Sequence, residues 1–106
     1  MKFIIEYGCS INTEYLAVEA NSLEDAQFYA YQSARDVRDS YEGLHGVLDF
    51  AEFCEENGYS EEDEAAWEEF MDMVEYELKY HAHEFNEDDE DDQTILSNCN
   101  GEFFKI

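Results

Sequence analysis

The sequence predicts an α+β fold in which helices cover one face of a small antiparallel sheet. Two β-rich segments come first, helix-period segments follow, and a turn signal lies near the C-terminus, which gives the order β-β-α-α-α-β-β. The 106 residues correspond to the usual size of one domain. Hydrophobic residues make up 44% and aromatic residues 16%, so the chain can build a packed core. We therefore expect a single domain over residues 1–106.

The first 42 residues are predicted to form a β-hairpin followed by a helix. Residues 1–20 contain two segments rich in β-branched and aromatic side chains, KFIIEYG and TEYLAVEA, joined by a short polar connection after Gly8. Ser22 is a suitable N-cap for a helix over 22–42. Its apolar positions recur at spacings of three and four, namely Leu23, Ala26, Ala30, Ala34, Val37 and Tyr41.

Two more helices are predicted between the glycines of the middle segment. One covers 47–57 and ends at Gly58, and the other, longer helix covers 61–85 after the N-cap Ser60. The long helix has an apolar stripe, made of Trp67, Phe70, Val74, Leu78, His81 and Phe85. Its opposite side has carboxylates at the same spacing, so we expect a long acidic third helix with a ridge of Glu61, Glu64, Glu68, Asp72 and Glu75.

The last 21 residues are predicted to contain a loop and a second hairpin. Residues 86–92, NEDDEDD, have no apolar side chain and are expected to form a solvated acidic loop. Residues 94–106 contain two short strand candidates around Asn100-Gly101, a dipeptide typical of hairpin turns. This C-terminal hairpin would complete the antiparallel sheet.

Charge is the property in which the chain departs most from ordinary composition. It has 29 acidic and five basic residues, a formal net charge of -24, and residues 61–92 alone contain 16 acids and one base. Such a field repels DNA and anionic membranes, and it accelerates association with a basic partner. The clustering favours a directed binding face over the evenly spread acids of a halophilic surface.

The acidic ridge is the main candidate site. Carboxylates three or four residues apart recur about every 5 to 6 Å along a helix, an interval similar to that of phosphates along a DNA strand. Like charges at this spacing destabilise a helix by about 0.2 to 0.5 kcal/mol per pair, so a ridge without lysines favours a function over simple solvation. The predicted partner-binding residues are Glu61, Glu62, Glu64, Glu68, Glu69, Asp72, Glu75, Glu87, Asp88, Asp89, Glu90, Asp91 and Asp92.

Other chemistry has weak support in the sequence. A calcium loop starting at Asp88 would have Gln93 where glycine is needed and Cys99 as its last ligand. His81 and His83 would lie on different faces of the predicted helix, and no nucleophile elbow or phosphate-binding glycine loop is present. We therefore expect no catalytic residues, no metal, no cofactor and no enzymatic activity.

Cysteine usage and hydropathy indicate a cytoplasmic protein. Cys9, Cys54 and Cys99 have no metal-ligand spacing, and an odd number cannot all pair within one chain. The apolar run at the N-terminus is interrupted by Glu6, so it lacks the length of a signal peptide. No segment has the apolar length of a transmembrane helix.

The short chain, the absence of proline, the carboxylate-rich helix and the scarcity of lysine resemble the DNA-mimic inhibitors of phages and mobile elements, such as anti-restriction and anti-CRISPR proteins. The resemblance is one of overall character and rests on residues 61–92. It implies a basic DNA-binding channel as the target, in a CRISPR effector complex or a restriction enzyme in the host cytoplasm. Inhibition would then be stoichiometric occlusion.

Three alternatives remain open at the level of sequence. An acidic chaperone or antagonist of another basic protein would use the same electrostatics without competing specifically with DNA. A halophilic domain would use its acids for solvation only. An enzyme or enzyme subunit could use a pair of neighbouring carboxylates, since 29 acids bring some pair together in any fold.

Overall fold

The computed structural model describes residues 1–106 and has the predicted α+β fold, with four strands and four helices. The helices are α1 (Leu23–Ser40), α2 (Phe50–Asn57), α3 (Glu64–Glu77) and α4 (Glu90–Asn98). The strands are β1 (Lys2–Cys9), β2 (Thr13–Glu19), β3 (Leu78–Glu84) and β4 (Phe104–Lys105). In the sheet order β3-β1-β2-β4, the pairs of β1 are antiparallel and β2 is parallel to β4. The sheet is therefore mixed, not wholly antiparallel as predicted.

The N-terminal hairpin and α1 form the body of the fold and agree with the sequence prediction. Phe3, Ile4 and Ile5 are all buried, and since successive side chains point to opposite faces, both faces of the sheet are covered at β1. The Ser22 hydroxyl accepts a hydrogen bond from the Asp25 N–H and caps α1. Alanines at 26, 30 and 34 are buried, and their small side chains let the helix lie close to β1 and β3.

The second helix is shorter than the predicted 47–57 because Asp49 fixes its start. The Asp49 carboxylate accepts from the Glu52 N–H at 2.8 Å, and the Glu52 carboxylate accepts from the Asp49 N–H at 3.2 Å. This reciprocal capping box leaves Val47 and Leu48 outside the helix. The predicted stop is correct, since Gly58 ends α2 with a φ of 71°.

The prediction of one helix over 61–85 is wrong at both ends. Asp63 caps the N-terminus by accepting from the Ala65 N–H, so α3 begins at Glu64. After Glu77 the chain becomes extended and pairs with β1 over Leu78–Glu84. Leu78 and Ala82 are buried and the three residues between them are exposed, so the burial pattern of this strand has the four-residue spacing that the helix prediction used.

The predicted acidic loop over 86–92 is correct for 86–89 but wrong for 90–92, which are helical, and the predicted hairpin over 94–106 is wrong. Asp89 caps α4, and three acids in the first turn are stabilised by the helix dipole. Asn100 and Gly101 both have positive φ, but they end this helix, with the Gly101 N–H donating to the Leu96 carbonyl. The chain then returns as the short strand β4 alongside Val18 and Glu19.

The buried residues form two separate clusters, and the molecule is elongated. One cluster joins the sheet to α1, and the other joins α2 to α3. The principal extents are 52 × 26 × 18 Å, and the radius of gyration is 16.7 Å. A compact domain of this length would have a radius of gyration of about 13 Å. None of the helices is long and apolar enough to cross a bilayer.

Candidate protein-binding surface

The α2–α3 hairpin is a small acidic unit with its own core, and we call residues 50–77 the acidic lobe. Its buried side chains are Phe53, Cys54, Ala66, Phe70 and Val74, contributed by the two helices. Because this core uses only one side of α3, the other side of that helix is exposed to solvent.

Most of the predicted ridge lies on that exposed side. Glu64, Glu68 and Asp72 follow one another at four-residue spacing, are all exposed and form no ion pair. Glu61 and Glu62 are exposed in the turn before α3. The ridge therefore presents carboxylates that no base of the same chain neutralises.

Glu75, the last predicted member of the ridge, is engaged by α1. Its carboxylate accepts a hydrogen bond from the Tyr31 hydroxyl and lies 3.4 Å from a guanidinium nitrogen of Arg35. This residue ties the lobe to the body of the fold, so it is less available to a partner than Glu64, Glu68 or Asp72.

Trp67 belongs to the apolar stripe of the sequence prediction, a pattern typical of a buried helix face, but it is 49% exposed beside the acids. It packs edge-on against Phe50, with ring centroids 5.0 Å apart. The two rings line an open groove of about 400 Å³ whose other lining residues are Glu61, Glu62, Asp63, Glu64 and Glu68. An aromatic face surrounded by carboxylates suits the binding of a guanidinium or ammonium group, since both cation–π and ionic attraction act on it.

The second group of predicted binding residues lies on another part of the fold. Residues 87–92 lead into α4, which packs on β2, whereas the acidic lobe adjoins the end of α1. Glu87, Asp88, Glu90 and Asp91 are exposed, but the Asp89 carboxylate caps α4 by accepting from two backbone N–H groups. The structure thus separates the two groups that the prediction had combined.

Asp92 is the one acidic residue of the chain that is buried, at 3% exposure, so its assignment as a partner-binding residue is wrong. Its carboxylate lies 2.9 Å from His83 Nε2 and accepts from the Asn86 N–H at 3.0 Å. Both contacts satisfy a carboxylate that would otherwise be costly to bury.

His81 and His83 do not face opposite ways, as they would in a helix. They lie on the same face of β3, with ring centroids 5.7 Å apart. No group of three or more His, Cys, Asp or Glu side chains is arranged to hold a metal ion.

The negative charge of the surface perturbs the titration of neighbouring phenols and a thiol. The Glu69 carboxylate, as hydrogen-bond acceptor and as charge, raises the pKa of Tyr59. A hydrogen bond to Glu75 raises the pKa of Tyr31, and the Glu6 carboxylate does the same for Tyr15. Burial, with help from Glu61 and Asp63, raises the pKa of the Cys54 thiol.

These shifts predict a loss of stability in alkaline solution. The folded state holds the Tyr59 and Tyr31 protons above the ordinary phenol pKa of 10.0, so it binds more protons than the unfolded chain there. Stability from these groups is therefore intact below pH 10 and falls as pH rises through the folded pKa values. Thermal unfolding between neutral pH and strongly alkaline pH should show this decline. It should be smaller in the double variant Tyr31→Phe, Tyr59→Phe, and an equal decline would contradict the assignment.

Sequence reasoning missed three exposed acids that belong to the lobe. Glu55 and Glu56 lie at the end of α2, and Asp63 caps α3. Asp63 lies between Glu62 and Glu64 in the sequence, whereas the proximity of Glu55 and Glu56 depends on the reversal of the chain at Gly58, which brings the end of α2 next to the start of α3. Gly58 indicates a turn in the sequence, but it does not indicate which sides of α2 and α3 pack against each other.

Comparisons with protein-family models, with curated proteins and with solved structures give no match.

Proposed function

We propose that this chain is an acidic DNA mimic that binds and blocks the basic DNA-binding surface of a host defence nucleoprotein complex, a CRISPR effector or a restriction enzyme. It acts by stoichiometric occlusion in the cytoplasm and carries out no catalysis. The observation that supports the proposal most is the uncompensated carboxylate ridge of α3 on an elongated body.

The bases of the chain do not neutralise this ridge. Arg38 is buried and pairs with Glu42 and Glu77, and Arg35 pairs with Glu75. These ion pairs lie where α1 meets the lobe. The charge of Glu64, Glu68 and Asp72 is therefore available to lysines and arginines of another protein.

Shape and charge density are both comparable to those of duplex DNA. The molecule is 52 Å long and 26 × 18 Å across, close to the width of a duplex. A duplex of that length carries about 30 phosphate charges, since there is one charge per about 1.7 Å of axis. The net charge of -24 is of the same order.

Exposed aromatic rings beside the acids supply a means of fixing the register of the complex. Trp67 lies in the acidic groove, and Tyr76, on the same helix, is 92% exposed. Aromatic residues are common energetic centres of protein interfaces, while surrounding charges mainly raise the rate of association.

A competition pull-down tests the proposal. The tagged chain is incubated with bacterial lysate in the presence and absence of duplex DNA, at about 0.15 M salt, where screening acts beyond about 8 Å. The expected result is capture of a nucleic-acid-binding protein that duplex DNA displaces. A captured basic protein that is indifferent to DNA would instead favour an acidic chaperone or antagonist, and would contradict the mimic.

Charge reversal on the ridge should weaken target binding. The triple variant Glu64→Lys, Glu68→Lys, Asp72→Lys replaces three attractive contacts with repulsive ones, and Glu75 is left intact because it binds Tyr31. From exposed pairs worth up to about 1 kcal/mol each, we expect affinity to fall about 10- to 100-fold in a titration calorimetry experiment.

The matched control is Glu14→Lys, Glu24→Lys, Glu102→Lys, which changes the net charge equally at exposed positions outside the lobe. This control should lose far less affinity, because only long-range attraction is reduced. Equal losses in the two triple variants would show that net charge alone drives binding, and would overturn the assignment of the ridge.

A further inference from the structure

The strand β3 forms an edge of the sheet, and beyond Leu78, whose N–H donates to the Glu75 carbonyl, its outward N–H groups have no partner. Its only neighbour is β1. The Phe85 N–H donates to the Lys2 carbonyl, and hydrogen bonding alternates along an antiparallel ladder, so the N–H groups of Lys79, His81 and His83 point to β1. Those of Tyr80, Ala82 and Glu84 point away from the sheet.

Beyond Leu78, no other part of the chain forms a hydrogen bond to this edge. The backbone of Leu78–Glu84 forms no hydrogen bond with a loop or a turn. It also accepts no hydrogen bond from a side chain. The strand has no proline or glycine that would interrupt pairing. An open edge over Lys79–Glu84 is a template for a strand from another chain.

The charge of the edge indicates which chain can occupy it. Leu78–His83 is free of acids and contains Lys79, in a protein whose net charge is -24. Arg35 also lies close to this edge. Arg35 and Tyr31 both contact the Glu75 carboxylate, and the Tyr31 ring packs against that of Tyr80 with ring centroids 5.3 Å apart. A basic partner attracted to the carboxylates has no electrostatic reason to bind here. For a second copy of this acidic chain, the edge is instead a place of little repulsion.

We propose that two copies of this chain pair through β3 in antiparallel fashion and form one continuous eight-stranded sheet from two four-stranded ones. A two-fold axis perpendicular to the sheet makes this contact self-complementary and closed. The axis passes near His81 or Ala82. Because it is perpendicular to the sheet, residues on the same face of each sheet remain on the same face of the dimer.

The pairing places the two acidic lobes at opposite ends of the joined strands. In each copy α3 leads directly into Leu78, and in an antiparallel pair that residue lies beside the far end of the partner strand. The lobes, each of which holds half of the net charge of its chain, are thereby kept apart. The other open edge, β2, offers a shorter stretch because β4 already pairs with Val18 and Glu19.

Sedimentation equilibrium over a dilution series tests the dimer without any target protein. Because the two copies repel each other, raising salt from about 0.1 M to about 1 M should strengthen the dimer as the Debye length falls from about 10 Å to about 3 Å. Target binding should respond in the opposite direction, so failure of one proposal leaves the other standing. A chain that remains monomeric at every concentration and salt level, or that forms open-ended polymers, would overturn the dimer.

A proline at position 80 should block the edge specifically. Tyr80→Pro removes an outward N–H while the ladder to β1 stays intact, as proline does in natural edge strands. We expect the dissociation constant to rise at least about 100-fold, because the backbone pairing itself is interrupted. Tyr80→Thr is the control, since it loses the same aromatic ring but keeps the N–H and should still dimerise. An equal loss with threonine would assign the association to the side chain and contradict edge pairing.

Amide hydrogen exchange of the unmodified chain gives an independent reading if the proline variant fails to fold. In the dimer the outward amides of Tyr80, Ala82 and Glu84 should be protected, and they should lose that protection on dilution. The inward amides of His81 and His83 should be protected throughout. Fast exchange of the outward amides at all concentrations would count against the dimer.

Discussion

Replacing Arg38 by methionine is expected to lower the free energy of unfolding by about 3 to 5 kcal/mol, the effect of breaking a buried ion pair from one side. Arg38 is 1% exposed and joins three parts of the chain. Its guanidinium donates to Glu77 at 3.2 Å, to Glu42 at 2.7 Å and to the Leu48 carbonyl at 2.7 Å. Methionine retains the apolar stem but leaves these acceptors without a donor.

Arg35→Met is the matched control for that substitution. Arg35 lies on the same helix one turn earlier, is partly exposed, and forms one ion pair at 3.4 Å. Its loss should cost less than about 1 kcal/mol, as for other solvent-accessible pairs. Urea unfolding of both variants measures the difference. Similar losses would mean that Arg38 does not hold the body and the lobe together as the geometry indicates.

Phe70→Ala is expected to destabilise the acidic lobe by about 3 to 5 kcal/mol, the range for truncating a buried phenylalanine. Phe70 is 4% exposed and contacts the rings of Phe50, Phe53 and Trp67. The core of the lobe contains only five buried residues, so there is little material to fill the cavity. Domains of this size have a total stability of about 5 to 15 kcal/mol, so the loss would be a large share of it.

Hydrogen exchange shows where that loss is located. In Phe70→Ala the amides of α2 and α3 should exchange much faster, while those of β1 and β2 should change less because they belong to the other cluster. Phe28→Ala is the control, because Phe28 is 60% exposed and its truncation should change stability by less than about 0.5 kcal/mol. Uniform acceleration in both clusters would show that the molecule opens as one unit.

The sequence was sufficient for the elements whose signals are local. The period-two pattern of the N-terminal hairpin, the Ser22 cap and the alanines of α1 agree with the structure because short-range geometry determines them. The exposed acids of the ridge were predictable for the same reason. Carboxylates four residues apart share one face of any helix, and an unpaired charge is excluded from a core.

The remaining elements depend on contacts distant in sequence. By its periodicity, Leu78–Glu84 could continue the helix. It forms a strand instead because it pairs with the second edge of β1, a contact between residues distant in sequence. Asp89 and Asn100-Gly101 lie at the two ends of α4. This helix is short and weakly apolar, so its composition favoured a loop in the sequence prediction. Trp67 is exposed because α3 packs on α2, an arrangement that fixes which part of the apolar stripe is covered.

The separation of the two clusters has an evolutionary consequence. Substitutions on the outer side of α3 touch neither the five-residue core of the lobe nor the sheet beneath α1. Surface substitutions away from a core usually change stability by about 0.5 kcal/mol or less, so both clusters stay intact. The pattern of exposed charge on the outer side of α3 can therefore change while the scaffold that presents it stays the same.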